Sequence, residues 1–403
     1  MIIHGEFPRW IAASYLKIEN QMNCMNFKER WVGNKKIVWL QPYNRYLLLE
    51  MPAYEVIKGL MNNDDPGVIG EELSRCYDLP LPEARRFVDE IRLMMEQIAS
   101  LMTDVPVKCS PLSPGSVDAD MYSIKRYKIN GQIYAAEYGS EQIENLIHPK
   151  FAYLECSTED KADHTFQVFH KDGQSVLKIN GALIGQWLRE HEHFLSGKFS
   201  MELVNRIYHK NETDWMGVFH ASAISAQNKS ILFLGDSGSG KSTICAILMA
   251  SGYNLVADDF VPVDGLSGRV YPFPAALSVK KSALAPLLHL FPGLALADEF
   301  SYPAMDKTVR YLPPVLQSEN SPADYPCKAL VFVRYEEHSG MNLERLSKDI
   351  AFQKLVPDSW ISPVEANAGR FLDWFLDLPC YRLTYSDNEK MVAEIQKIFN
   401  DEL

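Results

Sequence analysis

Residues 231–260 read ILFLGDSGSGKSTICAILMASGYNLVADDF, and few arrangements satisfy that order. An apolar run leads into a glycine-rich loop, the loop opens a helix of about three turns, and a second apolar run ends in two aspartates. The helix stops at Ser251–Gly252, where a glycine can take the left-handed conformation that ends a helix. A strand, loop, helix and strand packed into thirty residues dictate an α/β core with a ligand at the strand ends.

The loop Gly235-Asp-Ser-Gly-Ser-Gly-Lys-Ser242 fills GxxxxGK[ST] in the context that gives the motif meaning. Glycines at 235, 238 and 240 let the backbone curl, so that successive N–H groups point inward at phosphate oxygens. The helix N-terminus adds partial positive charge at the same place. The nucleotide-binding set is therefore Gly235, Asp236, Ser237, Gly238, Ser239, Gly240, Lys241, Ser242 and Thr243. Lys241 reaches the outer phosphates, and the Ser242 hydroxyl is placed for Mg²⁺.

Asp259 follows Lys241 by only 18 residues. An acid at a strand end beside a phosphate loop is where a metal-ordering carboxylate belongs. So short a step leaves no room for the switch regions of a GTPase or the signature segment of a transporter ATPase. Two adjacent carboxylates suggest divided work near Mg²⁺: Asp258 and Asp259 are metal candidates, and one of them could take a proton from an attacking hydroxyl. Asp258 could equally cap a turn. His220, 21 residues before Lys241, ends a strand WMGVF expected beside the loop strand, and is a further site candidate.

The rest of the 403-residue chain reads as two regions before this core. Residues 1–102 hold two strands around a turn at Pro42–Asn44, then three helices, the second capped by Asp64 or Asp65 with Pro66 in its first turn. Phe87, Ile91, Met94, Ile98 and Leu101 stripe the third, as core or as a dimer seam. Residues 103–114, rich in Pro and Ser, read as a linker. Residues 115–214 are β-rich, with hairpin signals at Asn130–Gly131 and Asp172–Gly173, followed by a helical reading of ALIGQWLREHEHFLSG. His191 and His193 in that stretch lie two apart, on different helix faces, which argues for a solvated surface over a metal pair. Residues 215–403 form the nucleotide core, interrupted by an irregular Pro-rich segment over 262–327.

A formal charge of −12 argues against a general nucleic-acid or anionic-membrane binder. The N-terminus lacks a basic stretch followed by an apolar core, and the run 283–297 is broken by Pro286, His289, Pro292 and Gly293. Seven cysteines without a CxxC pair fit reduced thiols. Together these give a cytoplasmic protein.

His220, GDSGSGKS, the short glycine-closed helix and VADDFVPV together resemble the HPr kinase/phosphorylase superfamily, whose nucleotide core is related to phosphoenolpyruvate carboxykinase. The resemblance covers about residues 215–264. It implies that Lys241 contacts the transferable phosphate, Ser242 binds Mg²⁺, Asp259 is the catalytic base and His220 supports it. The family's later glutamate has no counterpart in GRVYPFPAALSVKK, and Arg310 and Arg334 are candidates for its arginine. With RYLPP downstream, the chain looks closer to HPr-kinase-related small kinases near peptide-modification genes. The N-terminal region is similar to the PqqD-like winged-helix fold, which binds a leader peptide by strand addition. The expected activity is Mg-ATP-dependent transfer of the γ-phosphoryl group to a hydroxyl of a peptide, protein or small molecule, with a homo-oligomer among the expected partners. The competing reading is an ATP-gated peptide-binding module without transfer.

Overall fold

The computed structural model describes residues 27–100, 121–157, 160–302, 307–314 and 322–403, with the side chains of 99 and 100 left aside. The expected linker at 103–114 and Leu101 lie outside these residues. The chain is a mixed α/β protein built on several sheets.

The first region begins with an antiparallel sheet of β1 (Phe27–Val32), β2 (Lys35–Leu40) and β3 (Arg45–Leu49) in that order. The helices α1 (Met51–Met61), α2 (Pro66–Tyr77) and α3 (Leu81–Ser100) follow. Asp65 caps α2, its carboxylate accepting from the N–H groups of Gly67 and Val68. Ile91, Met94 and Ile98 of α3 are buried as expected, but Ala84 and Val88 complete the stripe and Phe87 stands at its margin. The alternation of β2 and β3 divides their side chains between two cores. Val38, Leu40, Leu47 and Leu49 face the three helices. Ile37, Trp39, Tyr46 and Leu48 face the other way, into the core of the rest of the molecule.

The middle region is a five-stranded sheet in sequential order: β4 (Ser123–Ile129), β5 (Gln132–Tyr138), β6 (His164–Lys171), β7 (Gln174–Ile179) and β8 (Ala182–Leu188). Helix α4 (Glu141–Ile147) makes the one parallel crossover, between β5 and β6. Both expected hairpins form, with Asn130–Gly131 and Asp172–Gly173 in the left-handed region. The helical reading of ALIGQWLREHEHFLSG is corrected. Asn180–Gly181 is a third turn of the same kind, so Ala182–Leu188 returns as a strand and the helix α5 (Glu192–Ile207) starts only at Glu192. His191 and His193 cluster with Phe194 at its start.

The third region carries β9 (Trp215–Phe219), β10 (Ser222–Ala226), β11 (Lys229–Leu234), α6 (Lys241–Ala250), β12 (Asn254–Asp258), β13 (Val261–Asp264) and β14 (Arg269–Val270). Then come β15 (Leu277–Lys280), α7 (Leu284–Leu287), β16 (Phe300–Tyr302) and β17 (Lys307–Leu312). The chain ends with β18 (Tyr325–Tyr335), β19 (Met341–Arg345), α8 (Lys348–Leu355), β20 (Ser359–Ile361), α9 (Glu365–Asp377), β21 (Cys380–Tyr385) and α10 (Asn388–Phe399). The main sheet runs β12-β10-β11-β18-β14-β13-β9-β20, with β21 beside β18 and β19 beside β21. Two expectations change here. The neighbours of the loop strand β11 are β10 and β18, whereas β9 pairs with β13 and β20. The Pro-rich segment is also not wholly irregular: β15, β17 and β16 form a small antiparallel sheet.

Candidate active site

Everything at the site hangs on the step from β11 into α6. Gly235, Gly238 and Gly240 all take positive φ, at 143°, 90° and 103°. At Gly235 a Cβ would come within 2.8 Å of the Val333 carbonyl oxygen, so only glycine lets the loop leave the strand here. The loop is tied to β18 where the Tyr335 N–H donates to the Ser239 carbonyl at 2.9 Å. Asp236, Ser237 and Gly238 are exposed, and Thr243 lies half-buried on the first turn of α6. Lys241 is buried and folds back on its own loop, its Nζ donating to the Gly235 carbonyl at 2.6 Å and to that of Asp236 at 3.3 Å. Burial lowers its pKa, partly offset by the two aspartates.

The two acids are held differently, and the backbone is the reason. Asp258 is the last residue of β12, 3% exposed, and accepts three tethers. Ser222 Oγ of β10 donates to it at 2.5 Å, Ser242 Oγ at 3.1 Å, and the Ser278 N–H of β15 at 3.0 Å. Burial, then the neighbouring charge of Asp259, pushes its pKa up to about 6, the tethers opposing. Asp259 has left the strand and sits at φ 61°, a left-handed conformation that is strained for most side chains and best tolerated by Asp and Asn. That turn swings its carboxylate into the open, with the side chain 38% exposed. Lys307 Nζ lies 3.4 Å from one oxygen and His220 Nδ1 4.0 Å from the other. Burial alone would raise the Asp259 pKa, but Lys307, His220 and Lys241 outweigh it and hold the carboxyl well below the usual range.

The structure therefore brings Lys241, Ser242, Asp258, Asp259 and His220 to one place. Three residues of this cluster escaped the sequence reading. Ser222 stands opposite Asp258 across β10 and β12. Lys280 of β15 donates to the loop hydroxyl of Ser237 at 2.8 Å. Lys307 comes from β17, 48 residues beyond Asp259. Each is delivered by a separate strand, so no local motif announces it. The two arginine candidates are elsewhere. Arg310 donates to the carbonyls of Leu294 and Ala295 and pairs with Glu299, while Arg334 is exposed beside Glu336.

Among the described residues no group of three His, Cys, Asp or Glu side chains could cage a metal unaided. Mg²⁺ does not need such a cage. It is held through one or two carboxylates, with waters and substrate phosphates filling the remaining positions. Asp258 and the Ser242 hydroxyl, already in contact, make a donor set of that kind.

No family model matches the chain. A curated relative, the HPr kinase/phosphorylase of Chromobacterium violaceum, is 30% identical over 152 residues, 32% of this chain and 48% of that protein. About a third of the chain is thus similar in sequence to HPr kinase/phosphorylase. The chain spans about half the length of this relative. Among solved structures, the HPr(Ser) kinase/phosphatase from Coxiella burnetii aligns over 46% of this chain and 95% of that one, at 10% identity and a TM-score of 0.22. Among the described residues no helix is long and apolar enough to cross a membrane.

Proposed function

We propose that this chain is a Mg-ATP-dependent phosphotransferase that moves the γ-phosphoryl group of ATP to a hydroxyl on a peptide, protein or small molecule. The observation that carries the reading is the split of the acid pair: Asp258 is committed to the loop serine, Asp259 to the open cleft. The sequence likeness to HPr kinase/phosphorylase supports it at the level of reaction class.

In this reading the loop amides and Lys241 hold the β- and γ-phosphates once Lys241 releases its two loop carbonyls. Ser242 and Asp258 are the residues that would hold Mg²⁺. Held there, the ion would supply positive charge against the phosphates. Asp259 orients the acceptor hydroxyl and takes its proton as the new O–P bond forms and the bond from γ-phosphorus to ADP breaks. Asp258 has the more basic carboxyl but is enclosed by three donors, so access favours Asp259. The incoming phosphates compete for Lys241 and Lys307, and removing those counter-charges raises Asp259 toward working basicity. His220, 4.0 Å from one carboxylate oxygen, stays beside Asp259 as Lys307, 3.4 Å from the other, turns to the phosphates. The N-terminal region would present the acceptor, in the manner of a PqqD-like module that adds a peptide strand to the edge of its sheet.

The test is incubation of the full chain with γ-labelled ATP and Mg²⁺, with and without cell extract, followed by identification of the labelled product. Label appearing on a hydroxyl-bearing acceptor, and absent with Asp259→Asn, is the expected result. Nucleotide binding with no acceptor labelled under any condition would instead leave an ATP-gated binding module.

A further inference from the structure

Lys150 sits on a short 3-10 turn, His148–Lys150, in the middle region, far in sequence from the phosphate loop. Its surroundings are nevertheless those of the site. The Ala276 N–H donates to the Lys150 carbonyl at 2.7 Å, and Tyr153 Oη donates to the Pro274 carbonyl at 3.2 Å. These two bonds strap the turn to the segment that enters β15, the strand whose Ser278 N–H holds Asp258. On the other side, Tyr302 Oη donates to the Asn145 carbonyl at 2.9 Å, and Tyr302 stands opposite Lys307 in the β16–β17 pairing. The rings of Phe151, Phe273 and Phe260 meet in succession, edge-on at 5.9 Å and tilted at 4.6 Å between centroids, and Phe260 directly follows Asp259. The turn is thus fixed to both flanks of the acid pair.

The ammonium itself is under-supplied. It is partly buried, and among the described residues its one hydrogen-bond partner is Ser196 Oγ of α5, at 2.8 Å. An ammonium has three donors, and a buried cation without an anion is costly to the fold. Lys198, also on α5, shows the ordinary remedy, with Glu212 at 2.6 Å and Glu202 at 3.1 Å. Among the described residues Lys150 has no such pair, and it feels both Lys307 and Asp259 through space. Burial, with Lys307 beside it, lowers its pKa to about 8, the response of a cation whose counter-charge has yet to arrive.

We propose that Lys150 is a phosphate-binding residue of this site, donating to an oxygen of the terminal phosphoryl group of the nucleotide on the side of the cleft facing Asp259. The inference rests on the phosphotransferase reading and extends it, because it makes the middle region part of the nucleotide site. Lys150 then joins Lys241, Lys280 and Lys307 as a fourth cation around the acid pair, a concentration of positive charge suited to a polyphosphate.

The experiment compares binding of MgATP and MgADP by calorimetry to the full chain and to Lys150→Met, which keeps the apolar stem and removes the charge. Lys150→Gln serves as a second neutral variant should the first fold poorly, and Lys150→Arg restores the cation. The neutral variants are expected to lose about tenfold or more in MgATP affinity while MgADP changes by less than about threefold, with Lys150→Arg recovering most of the loss. Equal binding of MgATP by wild type and both neutral variants would overturn the role of Lys150 while leaving the nucleotide reading intact. An equal loss for both nucleotides would also overturn it, since the residue would then be shaping the site without touching the terminal phosphoryl group. A wild-type chain that binds neither nucleotide would refute the phosphotransferase reading itself.

Discussion

Asp258→Asn should make the metal-free protein more stable at neutral pH. The carboxyl titrates near 3.8 when free and is raised to about 6 in the fold, because burial and the adjacent Asp259 charge outweigh the donors around it. About two pKa units correspond to roughly 3 kcal/mol by which the ionised form is disfavoured in the folded state. The sign follows from proton binding. The native state holds this proton more tightly than the unfolded chain, so the penalty is fully present above about pH 6 and fades as pH falls toward 3.8. An asparagine of the same shape can accept from the Ser278 N–H through its carbonyl and donate to the hydroxyl of Ser222 or Ser242, both of which can accept. Denaturation in the presence of a chelator, at several pH values from 5 to 8, reads the difference directly. A gain of this order should raise the melting temperature by several degrees, at about 2–4 °C per kcal/mol for a domain of ordinary size. The advantage of the variant should be largest at the alkaline end and shrink steadily toward pH 5. The same variant should bind MgATP poorly, trading function for stability. A variant less stable than wild type at pH 8, or a difference that does not vary with pH, would refute the account of Asp258 as a carboxylate whose ionised form the fold disfavours.

Lys241→Ala should weaken nucleotide binding and abolish turnover; unchanged ATP affinity with normal activity would remove the phosphotransferase reading. Asp259→Asn should slow transfer by about 10²–10⁴-fold while ATP affinity, measured by titration, changes by less than about tenfold. Transfer at the normal rate would place the base elsewhere. Trp39→Ala should cost about 3–5 kcal/mol in chemical denaturation of the full chain, because the indole is fully buried and its N–H donates to Asn44, which in turn donates to the Ile361 carbonyl. A fragment of residues 1–102 should self-associate in sedimentation, since cutting it free uncovers Ile37, Trp39, Tyr46 and Leu48; a well-behaved monomer would show that the sheet needs no partner.

The phosphate loop, its helix and the strand into the acid pair were readable because all of their information is local. Loop glycines, a helix stop and an alternating run each act within a few residues. The division of labour between Asp258 and Asp259 was not readable, because it depends on one left-handed residue that turns the second carboxylate out of the strand. Lys307, Lys280, Ser222 and Lys150 were hidden for a topological reason: each comes from a different strand or turn, and only the sheet order places it. The strand at 182–188 carries a local signal of its own, since Asn180–Gly181 has the same turn chemistry as the hairpins at Asn130–Gly131 and Asp172–Gly173. The two-sided burial of β2 and β3 was invisible for another reason, as a near-continuous apolar run such as IVWL looks alike whether one face or both are covered.

That two-sided sheet has a mechanical corollary. Tyr46 of β3 meets Phe371 of α9 edge-on at 5.3 Å, Phe371 stacks on Phe219 at 6.1 Å, and Phe219 is covalently joined to His220. Around this aromatic spine, Arg30 grips Asp373 with two bonds of 2.6 and 2.9 Å, and Lys28 pairs with Glu365 at 2.6 Å. The N-terminal sheet is therefore not a tethered antenna that swings on a linker. Close-packed interiors yield little to compression, so a strand added at its edge would press on a solid column whose far end carries the histidine beside Asp259. In such a molecule, a push on the N-terminal sheet and a shift at His220 are two ends of one column.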